Sequence, residues 1–449
     1  MPTPPTLILA DRAWTGADTN CISDVALHLE GDRIVAVGAR RDFGDLARFT
    51  VVNFPGTTLL PGLFDSHVHL DDDAWFGPML LAHGITTVRD TGNAVPGILD
   101  LRRRQQAGDW LGPRIFSCGP ALDTDHAHWP HIGRALKDSD NIEAVVDELH
   151  DLGVDGYKLY VNASPALARR VIARAHHHHC KCTCHAGACS VSEALAAGID
   201  CTEHVKCMEP ELLPPDTPND QLDPDGALVH AMIARFLQAR ATHCPTLVVD
   251  EAWEHFWGLR FNTFAGFEDY PACHRNWIKR WLAPLAKADD WGPEKIAKAR
   301  RAFALQQQVV GRFHAAGIPL LAGSDAPFVP VGKSLHTELT LLEQSGLTPV
   351  EALRAATVVP ARYLGVDDRL GALKPGYVAD IIAVEGDPTR AIHAIRQVRG
   401  LWQSGRQLDP VALLQQGTAA ARNAPTAWHE STPPFGIGAH RRVAALKPS

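Results

Sequence analysis

The chain has 449 residues, 45% of them hydrophobic, with 43 Lys and Arg set against 51 Asp and Glu for a net charge of −8. That length exceeds what one ordinary core supports, so a large domain with a smaller companion is expected. An acidic balance without a basic stripe argues against nucleic acid as a partner, and no apolar run approaches the roughly 18 residues of a membrane span. Leu7-Ile8-Leu9-Ala10 is too short for the apolar region of a signal peptide, and ten cysteines over this length are not a small secreted disulfide framework. The expectation is a soluble cytoplasmic enzyme acting on a small-molecule substrate.

Residues 1–58 open with short strand-like runs, Leu7–Leu9, Val25–Glu30, Ile34–Val37 and Val51–Phe54, separated by turns. Then comes a repeated pattern of apolar runs ending in polar residues. The runs are Leu63–His69, Ile85–Asp90, Arg114–Cys118, Gly156–Tyr160, Cys182–His185, Asp200–His204, Cys244–Val249 and Ile318–Asp325. Helical segments such as Ile142–Leu152, Pro165–His176, Ser192–Ala197 and Gly226–Arg240 lie between them. Eight strands alternating with helices predict an α/β fold, a (β/α)8 TIM barrel over 59–369. An open doubly wound sheet is the rival reading. The barrel is preferred because polar residues end strands across the whole set, first and last included.

After the seventh run, residues 250–293 form an aromatic insertion holding five of the eleven tryptophans, Trp253, Trp257, Trp277, Trp281 and Trp291. In a barrel that loop emerges on the catalytic face, as a lid or as a self-packed subdomain. Ala379–Val384 and Val398–Gln403 resemble the opening strands, so 1–58 and 370–410 are expected to join in one small β-sandwich. The tail, 411–449, shows no clear period from Thr418 onward and is expected to wrap the surface or to swap to a neighbour in a homo-oligomer.

The chemistry begins at Asp65-Ser66-His67-Val68-His69. On a strand His67 and His69 share a face, which makes a half-site for a metal such as zinc. Lys158 sits inside the apolar run of the fourth strand, where an ammonium is costly unless paired or chemically altered. His185 and His204 end the fifth and sixth strands. Asp325 ends the eighth, after a glycine and a serine expected to leave room for a metal.

In this order, His67/His69, Lys158, His185, His204 and Asp325 resemble the binuclear amidohydrolase superfamily, most nearly its Xaa-Pro dipeptidase-like and imidazolonepropionase-related branch. Leu60-Pro61-Gly62-Leu63-Phe64-Asp65, Gly84-Ile85-Thr86-Thr87-Val88-Arg89-Asp90 and Gly198-Ile199-Asp200-Cys201-Thr202-Glu203-His204 support the resemblance, which spans roughly residues 5–405. It implies two divalent metal ions, Zn2+ by preference. His67 and His69 would hold the first, His185 and His204 the second, and a CO2-derived carbamate on Lys158 would bridge them. Asp325 would bind the first metal and move the proton of a bridging hydroxide. His126 or His128, in the loop after strand three, is the candidate donor to the substrate carbonyl, with a solvated loop as the plain alternative. Asp65 would orient a ligand from behind.

Other signals weigh less. The run His176–His179 with Cys180, Cys182 and Cys184 reads as a helix end followed by buried thiols rather than a separate metal site. Gly332-Lys333-Ser334 lacks the upstream glycine of a phosphate loop, with Pro327 in its place. Where many peptidase-like relatives carry a carboxylate-holding tyrosine two residues after the fifth-strand histidine, this chain has Gly187. The loss turns the expectation away from small dipeptides, and extra room is expected there. The reading is a metal-dependent hydrolase of an amide, carbamate or urea with a bulky or aromatic substrate. An Xaa-Pro dipeptidase or N-acyl amino acid hydrolase is the second reading, and a metal-free structural homologue is the non-enzyme alternative.

Overall fold

The computed structural model describes residues 5–257, 266–272, 274–276, 278 and 292–424, with backbone alone over 253–257. Four strands open the chain: β1 (Thr6–Ala13), β2 (Ile22–Glu30), β3 (Arg33–Ala39) and β4 (Thr50–Pro61). The central series is β5 (Leu63–Val68), β6 (Ile85–Asp90), β7 (Arg114–Ser117), β8 (Ala121–Thr124), β9 (Gly133–Leu136), β10 (Gly156–Leu159), β11 (Lys181–Cys184), β12 (Cys201–Glu203) and β13 (Thr242–Cys244). Three more follow, β14 (Ile381–Glu385), β15 (Val398–Gln403) and β16 (Arg406–Leu408).

The central strands are parallel, β5-β6-β7 in one ladder and β13-β12-β11-β10-β8-β9 in the other. β7 pairs with β6 and β8 pairs with β10, so the two serve as halves of the third barrel strand. The break falls at Gly119-Pro120, where Gly119 has φ 66° and proline carries no N–H for a ladder. β9 is an additional strand lying outside β8.

The eighth run, Ile318–Asp325, makes no regular strand, yet it closes the barrel. Its neighbours receive it through backbone bonds: Leu321 N–H to His243 O at 2.9 Å, Ser66 N–H to Ala322 O at 2.9 Å and Asp325 N–H to His67 O at 2.8 Å. The seventh strand is shorter than expected. It stops at Cys244, and Leu247–Trp257 is helical, whereas Cys244–Val249 was expected to be extended. Pro245 ends the ladder, and Leu247, Val248 and Val249, at the start of that helix, are apolar in succession because all three are buried.

The helices form where caps and periodicity direct them. Ser164 caps Pro165–His177, Ser190 and Glu193 make a capping box for Val191–Ala196, and Thr348 with Glu351 makes another for Pro349–Ala355.

The terminal segments do join, in one seven-stranded sheet of order β16-β15-β14-β4-β1-β2-β3. Its far edge returns to the segment that leads into β14, through an Arg33–Val378 bridge and a bond from Ile34 N–H to Tyr377 O at 2.9 Å. The curled sheet encloses its own core of Ile8, Val25, Leu27, Leu59, Ile381 and Trp402. The tail begins in order: Pro410–Asn423 is a helix that runs on past Thr418, from which no period was expected. Leu413, Gly417 and Ala421, four apart, face inward, and Gly417 meets Met79 of the helix Phe76–Ala82. Residues 425–449 lie outside the described residues.

Candidate metal centre

The C-terminal ends of the central strands bring all six expected positions to one place. β5 carries His67 and leads into His69; their rings are 5.5 Å apart. Asp325 Oδ1 lies 3.3 Å from His67 Nε2 and 3.5 Å from His69 Nε2, so these three could hold one cation. His204 follows β12, and its ring is 4.7 Å from His67 and 4.6 Å from His185, which follows β11. Lys158, within β10, is fully buried.

The other nitrogen of each histidine decides which one faces the centre. His67 Nδ1 donates to Glu203 Oε2 at 2.8 Å, His69 Nδ1 to Gly92 O at 3.0 Å and His204 Nδ1 to Thr246 Oγ1 at 2.6 Å. Each bond leaves an Nε2 lone pair free for a ligand bond. Burial and the nearby Lys158 push His67 down to about 4 and His185 down to about 3. Burial likewise holds His204 well below the usual range, with His185 and His67 adding to it. All three are neutral imidazoles, the form that binds metal. For Asp325 burial acts upward, but His67 and His69 outweigh it and the group stays a carboxylate.

Two buried nitrogens of this centre, Lys158 Nζ and His185 Nδ1, find no hydrogen-bond partner among the described residues. A buried ammonium without an acceptor is costly, and so is an orphaned imidazole nitrogen. Cations ligated by His185 and by a carboxylated Lys158 would satisfy both, and the donor set of imidazoles and a carboxylate suits a borderline metal. The residues fit the group.

Beneath them lies a charged layer that sequence reasoning missed. Glu203 accepts from His67, from Arg89 Nη2 at 2.6 Å and from the hydroxyl of Thr183. Burial would raise its carboxyl, but Arg89, Lys158 and His67 prevail and keep it an anion. Strand alternation would turn Glu203 away if His204 faced inward. The chain escapes this because His204 adopts φ 62°, so consecutive side chains both reach the axis. Asp65 accepts from Ser324 Oγ at 2.6 Å, from Ser324 N–H at 2.9 Å and from His67 N–H at 3.3 Å. It ties strand one to strand eight and so fixes His67 against Asp325. The serine is thus a tether and leaves no space. Nor does the glycine: a Cβ at Gly323 would lie 2.7 Å from His67 Cβ, so the missing side chain admits His67.

A cavity of about 250 Å3 opens above the centre, lined by His185, His204, Asp325, Trp129, Tyr160, Phe328, His128, Val161, Lys206, Cys207, Val249 and Asp250. Of the two candidate donors, His128 lines it and His126 does not. Asp123 shapes that loop, accepting from His128 N–H at 2.7 Å and Asn162 N–H at 2.8 Å. Gly187 provides no extra room, since a Cβ there would lie 2.2 Å from the carbonyl oxygen of Val161. In the aromatic insertion, the side chains of Trp253, Trp257, Trp277, Trp281 and Trp291 lie outside the described residues. Phe267 and Tyr270 are described and are buried in the core away from the cavity, with the Tyr270 hydroxyl donating to Pro327 O at 2.8 Å. The histidine run behaves as a helix end, with His176 Nε2 bonded to Asp200 at 2.9 Å, and Cys182 and Cys184 are buried.

A curled terminal sheet on a parallel barrel, with histidines, a lysine and an aspartate meeting at the strand ends, defines an amidohydrolase-like protein. The chain belongs to the amidohydrolase family, whose profile matches residues 58–412. In structure it is similar to the bottromycin amidohydrolase, with a TM-score of 0.70 and 22% identity over 95% of this chain and 93% of that one. It is also similar to a Xaa-Pro dipeptidase with methionine bound in its active site, with a TM-score of 0.66 and 20% identity over 90% of this chain and all of that one. Curated sequences are matched over short stretches. Ochratoxinase of Aspergillus niger is 34% identical over 96 residues, 20% of this chain and 19% of that protein. The chain spans about a quarter or less of the length of the first curated relatives it matches, 27% and 12%. Among the described residues no helix is long and apolar enough to cross a membrane.

Proposed function

We propose that this protein is a metal-dependent hydrolase that cleaves the C–N bond of an amide, carbamate or urea in a bulky or aromatic substrate. The observation that carries the reading is the meeting of His67, His69 and Asp325 beside a buried, unpartnered Lys158, at the inner end of a cavity walled by Trp129, Tyr160 and Phe328. Family membership and the names of its structural relatives, an amidohydrolase and a dipeptidase, support C–N cleavage.

In this reading His67, His69 and Asp325 would hold one cation, His185 and His204 would hold a second, and Lys158, carboxylated by CO2, would serve both as an anionic ligand. Zn2+ suits these ligands. When bound, two such cations would supply water activation at neutral pH and Lewis acidity toward a carbonyl. Asp325 takes the proton released on attack and delivers it to the leaving nitrogen, because an amine leaves poorly unless protonated. His128, at the cavity rim, donates to the developing oxyanion. Glu203 and Asp65 hold His67 in place from below.

The test is metal analysis of the purified protein followed by a hydrolysis screen over aryl amides, ureas, carbamates and Xaa-Pro dipeptides. About two divalent metals per chain and a higher kcat/KM on an aryl compound than on any dipeptide are expected. Efficient dipeptide cleavage with no aryl turnover would put the dipeptidase reading in its place. A protein that purifies without metal and hydrolyses nothing after reconstitution would be a structural homologue.

A further inference from the structure

The helix Leu247–Trp257 rises from the end of the seventh strand straight into the cavity wall. Its N-terminus is anchored from outside the helix, where Glu338 Oε2 accepts from Val248 N–H at 2.8 Å. One turn in, Asp250 lines the same cavity as His185, His204 and Asp325. Its Oδ2 is buried and has no hydrogen-bond partner among the described residues. An acidic residue in the first turn of a helix is ordinarily explained by capping or by the helix dipole. Capping does not account for Asp250: Glu338 performs it, and among the described residues the buried Oδ2 of Asp250 takes no hydrogen bond.

A carboxyl oxygen buried without a hydrogen-bond partner is costly to the fold, and such groups mark sites that meet a ligand. Burial pushes this one up to about 7, and Lys206, which lines the same cavity, acts in the opposite direction. The cavity supplies the rest of a cation receptor in Trp129, Tyr160 and Phe328, whose aromatic faces favour positive charge and an attached ring alike.

We propose that Asp250 is the specificity residue of this cavity and receives a protonated amine on the substrate. The favoured substrates are then amides, ureas or carbamates whose bulky or aromatic part carries a basic nitrogen. The inference rests on the cavity being the substrate site of the proposed hydrolase, and it adds a chemical class that the metal ligands cannot specify.

Binding without turnover tests it. The metal-loaded full-length protein is titrated calorimetrically with 3-phenylpropylamine and with 3-phenylpropan-1-ol, which share a ring and chain length. The wild type should bind the amine at least tenfold more tightly, and Asp250→Asn should reduce that preference to within threefold. Asp250→Ser should do the same, and circular dichroism with metal content shows that each variant is folded. Equal affinity of the wild type for the two compounds overturns the proposal. So does an amine preference that survives in both variants, since the amine would then be held at the metal centre. Because no bond is broken, either negative result leaves the hydrolase reading standing. Conversely, a protein that hydrolyses nothing yet binds the amine through Asp250 removes that reading and keeps the cation site.

Discussion

Lys158 concentrates the residue-scale argument. Its stem is packed inside β10, its Nζ meets no acceptor among the described residues, and the His67 and His185 imidazoles are themselves held neutral. Carboxylation, as proposed, would remove the positive charge and create an anionic ligand able to bridge two cations. Lys158→Ala should therefore lose both metal and turnover, with partial recovery in bicarbonate or a short carboxylic acid; a variant that retains metal and full turnover would refute the role. Asp325→Asn keeps the shape of the side chain but cannot relay a proton. Its kcat at saturating metal should fall at least ~10²-fold, and an unchanged kcat would move the shuttle elsewhere. These residues stand out in the sequence because histidine, lysine and aspartate in or at the ends of apolar runs are conspicuous there, and the structure brings them together. Glu203 was not legible. Its inward turn depends on the positive φ of His204, which strand alternation does not predict. Asp250 was hidden for a different reason, since a lone aspartate beside an expected strand carries no mark of its own burial.

At the scale of elements, the sequence announces regular pieces better than irregular ones. The helices Ile142–Leu152 and Pro165–His177 fall where periodicity and caps place them, because one face is buried and the other is wet. The seventh and eighth barrel positions resist such reading. Leu247-Val248-Val249 is buried all round, so its pattern suits a core strand as well as a helix. Ile318–Asp325 is positioned by hydrogen bonds from its neighbours rather than by a ladder of its own. The helix Leu247–Trp257 depends on Glu338, which is fully buried and is pushed up to about 8 by that burial against its bonds from Val248 and Leu247. An unfolded glutamate titrates near ~4.3. Between these values the folded chain keeps a proton that the unfolded chain has released, so stability falls as pH rises through that window. Glu338→Gln preserves the acceptor and removes the titration. From pH 5 to 8 the stability of the variant relative to wild type should climb by on the order of 1 kcal/mol per pH unit, then level off. Urea unfolding at fixed metal concentration measures this, and a difference independent of pH would show that Glu338 is ionised in the fold.

For the whole molecule, the question is how a sheet made from both ends of the chain holds a barrel made from the middle. β4 runs directly into β5 with Gly62 between them, so the first barrel strand, which carries His67, is continuous with the longest strand of the terminal sheet. Gly62 N–H bonds to Asp380 O at 2.9 Å, just before β14 begins. The Asp380 carboxylate then reaches across the junction. It lies 2.5 Å from Arg114 Nη1 at the start of the third barrel strand, and it accepts from Ser404 N–H at 2.7 Å in the turn between β15 and β16. Its side chain is only 7% exposed while that of Arg114 is 25% exposed, so solvent weakens this pair less than an ordinary surface bridge. Cutting it should loosen the clamp without touching the metal ligands. Asp380→Ala is expected to cost about 2 kcal/mol, since it takes the carboxylate from Arg114, which keeps Ser404 Oγ, and leaves the Ser404 N–H without its acceptor. If sheet and barrel fold as one unit, the loss shifts a single urea transition, seen together by circular dichroism and by tryptophan fluorescence. Two separated transitions in the variant would mean that the terminal sheet melts by itself, and that the continuity of β4 with β5 does not couple it to the barrel.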